Sequence, residues 1–319
     1  MTAVRTRRAF VDPRPASGEQ FVLHRGAARA VVGQVAAVLR EFSVDGVHYT
    51  ETWPDVQTPP MGCGIVLMPW PNRVAGARWT HEGRAQQLDV TEPANGNAIH
   101  GLLRNAAYQC VPGGDGDPGS DTVTLAASIY PQHGWPFTLD TAVTYTLTDD
   151  GLRVTHTVTN VGGEPAPFGC GAHPYLRIGG VPSEELTLTI RARRRIVTDD
   201  RMLPTGTEPL DGPLAGLPTG VRVGDLDVDT GLADLQPAGE RFEHVLTGPQ
   251  GRGVTLWADP AFRWAQLYTP HDFPAPEGPR QAVAIEPMTC PADALNSGEG
   301  LIVLQPGETW SASWGISPA

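Results

Sequence analysis

Four residues stand out because their types and settings suit proton transfer or polyol binding. Glu286 sits in Ala282-Val283-Ala284-Ile285-Glu286-Pro287-Met288, an apolar, strand-like run that ends at a proline. A carboxylate embedded there loses water on part of its surface. Desolvation raises a carboxyl pKa toward the range of a general acid or base working near neutrality. The structural alternative is a strand-end glutamate paired with an arginine. His173 lies among small residues in Gly169-Cys170-Gly171-Ala172-His173-Pro174-Tyr175. Pro174 biases it to extended backbone, and an imidazole held in such a loop can shuttle protons. His100, in Asn97-Ala98-Ile99-His100-Gly101-Leu102, precedes a glycine that permits an unusual backbone or a close approach. The alternative is a turn histidine donating to a carbonyl. Arg73 closes Met68-Pro69-Trp70-Pro71-Asn72-Arg73, which two prolines stiffen. A guanidinium fork on a stiff loop can bind hydroxyls or a carboxylate; a surface ion pair is its alternative.

The elements that must position these groups are strands. From Thr141 to Asn160, Val143, Tyr145 and Leu147 alternate with threonines, Asp149-Asp150-Gly151 supplies a turn, and Leu152, Val154, His156 and Val158 resume the alternation. Period-two patterning on both sides of an Asp-Gly turn predicts a hairpin. The device recurs at Val38–Val44 before Asp45-Gly46, at Ala77–Thr80 before His81-Glu82-Gly83, and between Val245-Leu246 and Val254–Trp257. Ala27 to Leu39 is interrupted by Gly33 and rich in valine, so strand is the better assignment there. Pro112 to Gly119 and Pro270 to Pro279 have the composition of surface loops. With no fixed repeat and no linker-like break, the sequence predicts one all-β domain over residues 1–319, a large antiparallel β-sandwich or barrel with few short helices.

Composition narrows the function classes. The 23 basic residues are all arginine, against 35 acidic ones, for a net charge of −12. Such a surface repels phosphate backbones, so no nucleic-acid partner is expected. The 37 glycines and 31 prolines disfavour long helices and coiled coils. No apolar run approaches the roughly 18 residues of a membrane span, and none of signal-peptide length follows Arg5, Arg7 and Arg8. The expected location is the cytoplasm, with no membrane partner. Cys63, Cys110, Cys170 and Cys290 are widely spaced and lack zinc-site spacing, so buried free thiols are expected. No G-x-S-x-G, phosphate-binding loop or H-E-x-x-H occurs. His156 lies on an apolar strand face and is expected in the core. Arg191, Arg193, Arg194 and Arg195 form a charge run at a strand end.

Taken in order, Pro71-Asn72-Arg73, Ala98-Ile99-His100-Gly101, Gly134-Trp135-Pro136-Phe137, Ala172-His173-Pro174-Tyr175, Leu203-Pro204-Thr205-Gly206 and Ile285-Glu286-Pro287 resemble the motifs of the aldose 1-epimerases, or galactose mutarotases. Leu304-Gln305-Pro306-Gly307-Glu308 is similar to that family's C-terminal strand, and the resemblance spans about residues 21–316. It implies a supersandwich fold and interconversion of the α and β anomers of an aldose, without cofactor or metal. By resemblance Glu286 is the general base on the C1 hydroxyl, His173 the general acid on the ring oxygen, His100 a second active-site histidine and Arg73 a hydroxyl-binding arginine. A sugar-binding aspartate is also implied; Asp229 is chosen, with Asp227 and Asp234 as competitors, although Gly231-Leu232 stands where an aromatic commonly follows. Asn72, Tyr175 and Trp135 complete the expected substrate-binding set, and Trp70 and Trp264 are further candidates for an aromatic wall.

The acid–base pair must start in opposite states, Glu286 ionised and His173 protonated. Each charge is expected to favour the other. Free galactose or glucose is the expected partner, with the chain a monomer or homodimer. Two alternatives are a hexose 6-phosphate epimerase, with Arg191–Arg195 or Arg177 as its cationic patch, and a carbohydrate-binding protein that has lost turnover.

Overall fold

Alternation of apolar and β-branched polar residues makes the regular structure of the described residues almost entirely antiparallel strand. The computed structural model describes residues 14–111 and 120–319. The loop expected at Pro112–Gly119 and the N-terminal arginines Arg5, Arg7 and Arg8 lie outside the described residues. The strands Leu139–Thr148 and Gly151–Asn160 form the predicted hairpin, in register from Leu139–Asn160 to Thr148–Gly151. Val143, Tyr145, Leu147, Val154 and Val158 are buried on one face. The other face carries hydroxyl pairs across the strands, Thr122 with Thr146, Thr124 with Thr144 and Thr155 with Ser313. Each large apolar side chain so buried contributes about 1.5–3 kcal/mol. Ala27–Leu39 is more than one strand: Ala28–Gly33 ends, Ala36 and Ala37 take left-handed backbone, and Leu39–Val44 begins.

A nine-stranded sheet runs, in spatial order, Gln109–Cys110, Thr122–Ile129, Leu139–Thr148, Gly151–Asn160, Thr309–Pro318, Gly253–Ala258, Phe242–Thr247, Thr187–Ile190 and Val221–Arg222. An eight-stranded sheet includes Arg194–Thr198, Asp229–Ala233, Trp264–Tyr268, Val283–Met288, Gly171–Ala172 and Val66–Leu67 in that order. Val143, Leu256 and Trp314 of the first sheet share one core with Leu232, Leu267 and Ile285 of the second, which makes the fold a β-sandwich. Helix among the described residues amounts to Ala294–Ser297 and short 3-10 turns. None is long and apolar enough to cross a membrane. The four cysteines are free; Cys63, Cys170 and Cys290 are buried and Cys110 is partly exposed.

His156 takes the core position expected of it. It is fully buried, and its Nε2 accepts a hydrogen bond from Trp314 Nε1 at 2.9 Å, so the ring is neutral. Burial pushes the pKa of His156 down to about 4, and that of His244 likewise. Both folded-state values lie below the unfolded one, so the unfolded chain binds these protons first. The stability they permit is present at neutrality and is lost as pH falls from roughly 6.5 toward 4, by up to about 1.4 kcal/mol per unit for each ring. Denaturant unfolding across that window is expected to show a shallower pH slope for His156→Leu than for the native chain. Equal slopes would mean that His156 is protonated in the fold.

Candidate active site

Three neighbouring strands of the eight-stranded sheet supply one wall of the site. Glu286 lies opposite Gln266, Gln266 opposite Gly231, and Tyr268 opposite Asp229. Side chains two residues apart share a face. Register therefore puts Glu286, Gln266, Tyr268 and Asp229 on the face away from the core, while Ile285 and Leu267 point into it. Gln266 Nε2 donates to Asp229 Oδ1 at 2.5 Å and fixes that carboxylate.

The opposite wall comes from loops held by backbone bonds. His173 donates its N–H to Ile65 O at 3.0 Å, and its carbonyl accepts from Gly64 N at 2.8 Å. The Tyr175 ring stacks on the imidazole, with centroids 5.3 Å apart and planes 10° apart. Together these hold His173 Nε2 3.3 Å from Glu286 Oε1, with both side chains at most 5% exposed. His100 has left-handed backbone, with φ of 64°. Its N–H donates to Asn72 O at 2.9 Å, and its Nδ1 accepts from Asn72 N at 3.3 Å. Gly101 is required next to it: a Cβ there would fall 2.1 Å from Met68 O. The close approach foreseen at this glycine is thus to backbone. His100 and His173 meet edge to face at 5.4 Å.

Arg73 is buried, and its guanidinium is shared between two carboxylates. Nε donates to both Glu92 oxygens at 3.0 and 3.1 Å, and Nη2 lies 3.6 Å from Asp229 Oδ2. Burial disfavours this cation, but Glu92 and then Asp229 outweigh that and bind its proton more tightly than usual. Asn72 Oδ1 accepts from Arg73 N at 2.9 Å. The groups line a cavity of about 260 Å³ formed by Met61, Asn72, Arg73, Ile99, His100, His173, Asp229, Gln266, Tyr268 and Glu286. Its size suits a small polar ligand.

Burial works against the charged pair expected of Glu286 and His173. Burial pushes Glu286 well above the usual carboxylate value; the Asp229 carboxylate adds to this and Arg73 opposes it. Burial pushes His173 down to about 4, partly offset by its own backbone and reinforced by Arg104. His100 is lowered by burial, then by His173, Arg104 and Arg73. The 3.3 Å contact attracts opposite charges, but desolvation acts on both partners and dominates. Burial thus favours the uncharged form of each partner, a protonated Glu286 and a neutral His173.

Other expectations are corrected by packing. Trp135 is fully buried against Trp70, Trp79 and Phe137 and does not reach the cavity. Trp70 belongs to the same core, and Trp264 packs with Ile196, Ala233 and Met288. Tyr175 is fully buried and touches His173 rather than the cavity. The aromatic at the cavity is Tyr268, which the sequence reading missed along with Gln266 and Glu92. Of the three aspartates, Asp229 lines the cavity; Asp227 is exposed 3.7 Å from His271, and Asp234 is exposed on a turn. Arg195 is engaged by Glu208 and Asp211, Arg194 by Thr207 and Arg177 by Glu51, so neither proposed cationic patch lines the cavity.

His100, His173 and Glu286 offer three donor atoms within 4.8 Å of one another, the spacing of a metal site. The Asn72 N–H bond to His100 Nδ1 argues against that use. It puts the neutral ring's proton on Nε2 and removes the lone pair a metal would take there. The trio fits proton transfer better.

A β-sandwich of this topology is galactose mutarotase-like. A galactose mutarotase-like protein from Clostridium acetobutylicum superposes with a TM-score of 0.80 over 92% of this chain and 93% of its own, at 18% identity. A galactose 1-epimerase from Lactobacillus acidophilus NCFM superposes with a TM-score of 0.74 over 93% and 94%, also at 18% identity. YihR of Escherichia coli (strain K12) is 31% identical over 294 residues, 92% of this chain and 91% of that protein. The sequence profile of the aldose 1-epimerase family matches residues 19–317, and the chain belongs to that family.

Proposed function

We propose that this protein interconverts the α and β anomers of a hexose by opening and reclosing its pyranose ring, with Glu286 as general base and His173 as general acid. The observation that carries the reading is the buried Glu286–His173 pair, 3.3 Å apart at a cavity that also holds Arg73, Asp229, Gln266 and His100. In the competent form Glu286 is a carboxylate and His173 an imidazolium. Glu286 takes the proton from the C1 hydroxyl as His173 gives one to the ring oxygen. The C1–O5 bond breaks and C1 becomes a carbonyl. Rotation about C1–C2 presents the other face, and the reverse transfers reclose the ring. No metal or cofactor enters these steps.

Burial of the pair has a direct role in this sequence. Ring opening converts the two charges into a neutral carboxyl and a neutral imidazole, the forms that desolvation favours. The same burial that disfavours the charged pair thus draws the proton transfer forward. Arg73, Asp229, Gln266 and Asn72 are the groups proposed to bind ring hydroxyls, and His100 Nε2–H supports the developing charge beside His173.

Polarimetry tests the reading. Freshly dissolved α-D-glucose and α-D-galactose are expected to reach their usual final rotation faster with the protein than without it. Failure with both, and with sugars carrying charged groups, would leave a binding protein of the same fold.

A further inference from the structure

The Leu203-Pro204-Thr205-Gly206 motif and the loop before His100 have no role in the reading above, and the structure joins them at Asn97. The motif follows a tight turn between the strands Arg194–Thr198 and Pro204–Pro209, at one edge of the eight-stranded sheet. Asp199 Oδ1 closes that turn by accepting from Arg201 N and Leu203 N, both at 2.9 Å. The exposed Arg201 then reaches across to the loop. Its Nε donates to Asn95 O at 3.0 Å, and its Nη2 to Gly96 O at 3.3 Å and to Asn97 Oδ1 at 3.1 Å. Asn97 is fully buried, and its amide is saturated. Its Oδ1 also accepts from Gly76 N at 3.2 Å, and its Nδ2 donates to Arg201 O at 3.0 Å and to Glu92 Oε2 at 3.2 Å. Asn95 Nδ2 donates to Glu92 Oε1 at 3.0 Å.

Glu92 carries this network to the cavity. Its Oε1 lies 2.9 Å from Arg73 Nη2, and both its oxygens accept from Arg73 Nε. Nε and Nη2 form one edge of the planar guanidinium. The carboxylate takes that edge and leaves Nη1, which has no acceptor among the described residues. Burial disfavours the Glu92 anion, but Arg73, Asn95 and Asn97 outweigh that and hold its carboxyl below the usual carboxylate value. We propose that Glu92 is a positioning residue for sugar recognition: it turns Nη1 of Arg73 to a ring hydroxyl, and the Arg201–Asn97 staple holds it in place. The sugar in this inference rests on the epimerase reading; the clamp on Arg73 does not. Glu92 and Asp229 already balance the guanidinium charge, so the group it meets there is a hydroxyl rather than an oxyanion. Without Glu92, Arg73 would close on Asp229 Oδ2, now 3.6 Å away, and the two groups would satisfy each other instead of the sugar.

The experiment measures anomer exchange by NMR over a range of glucose and galactose concentrations, with the native chain, Glu92→Gln, Arg201→Met, Arg73→Met and the double variant of Glu92→Gln with Arg73→Met. Glu92→Gln is expected to raise KM by roughly 10–100-fold, the range of a charge-assisted contact. Its kcat is expected to stay within about tenfold of the native value, because the Glu286–His173 pair is untouched. Arg201→Met, on an exposed turn, is expected to raise KM by a smaller factor. In the Arg73→Met background, Glu92→Gln is expected to change kcat/KM by no more than about twofold, since it acts through that guanidinium. An unchanged KM in Glu92→Gln, or an equal loss with and without Arg73, would overturn the assignment while leaving the epimerase standing. Proton–nitrogen NMR separates the two readings without turnover. The Arg73 Nε–H signal, identified by its loss in Arg73→Met, is expected to be sharp and slowly exchanging in the native chain and to broaden in Glu92→Gln. A signal equally sharp in Glu92→Gln would overturn the positioning role. Broadening there, with no sugar exchanged by the native chain, would uphold the clamp on Arg73 and remove the epimerase.

Discussion

Glu286→Gln is expected to lower kcat by roughly 10²–10⁴-fold, the usual contribution of a positioned general base, while the protein stays folded. The amide keeps the shape of the carboxyl but cannot accept the C1 proton. Its surroundings already favour an uncharged group: the residue is 2% exposed, and burial pushes the carboxyl well above the usual carboxylate value. Melting within a few degrees of the native chain is therefore expected. His173→Asn should lose a similar factor through the ring-oxygen proton. Because the two residues exchange one proton, the double variant should lose little more than either single one. Polarimetry with the best substrate, at saturating concentration, reads the effect. Near-native turnover in Glu286→Gln would remove Glu286 from the chemistry; full loss together with a collapsed melting temperature would mean that it is structural.

The hairpins were legible because their cause is local: alternation and turn residues lie within a few positions of each other, as at Thr141–Asn160. Glu286, His173, His100 and Arg73 were legible for the same reason, each carried by a short motif, and the cavity brings all four together. Gln266 and Tyr268 were not. What puts them beside Glu286 and Asp229 is pairing between strands separated by up to dozens of residues, and no local pattern states that register. Trp135 was misplaced because an aromatic next to proline suits a sugar platform as well as a core. Its packing against Trp70 and Trp79, from two other segments, decides the matter. Sequence shows the opposite charges of the Glu286–His173 pair but not how little water reaches them.

The pH dependence should carry the mark of that dehydration. Below the lower apparent constant both members of the pair are protonated, and no base is present. Above the upper one both are deprotonated, and no acid is present. Activity follows the singly protonated pair, and the two limbs belong to the pair rather than to either residue. With burial dominant, the acid limb is expected near the His173 value of about 4, and the alkaline limb well above the ordinary carboxylate range. A pair held together by its charges would instead keep an imidazolium at mildly acidic pH. Nitrogen NMR of the ring distinguishes these cases: His173 is expected to remain neutral at about pH 6, below the ordinary histidine value. A cationic His173 there would show that the 3.3 Å contact outweighs desolvation. Asp229→Asn adds a signed check, since the Asp229 carboxylate raises Glu286 by repulsion. Removing that charge should make Glu286 easier to ionise, move the alkaline limb to lower pH and leave the acid limb in place. An unmoved alkaline limb would mean that the Asp229 charge does not act on the pair.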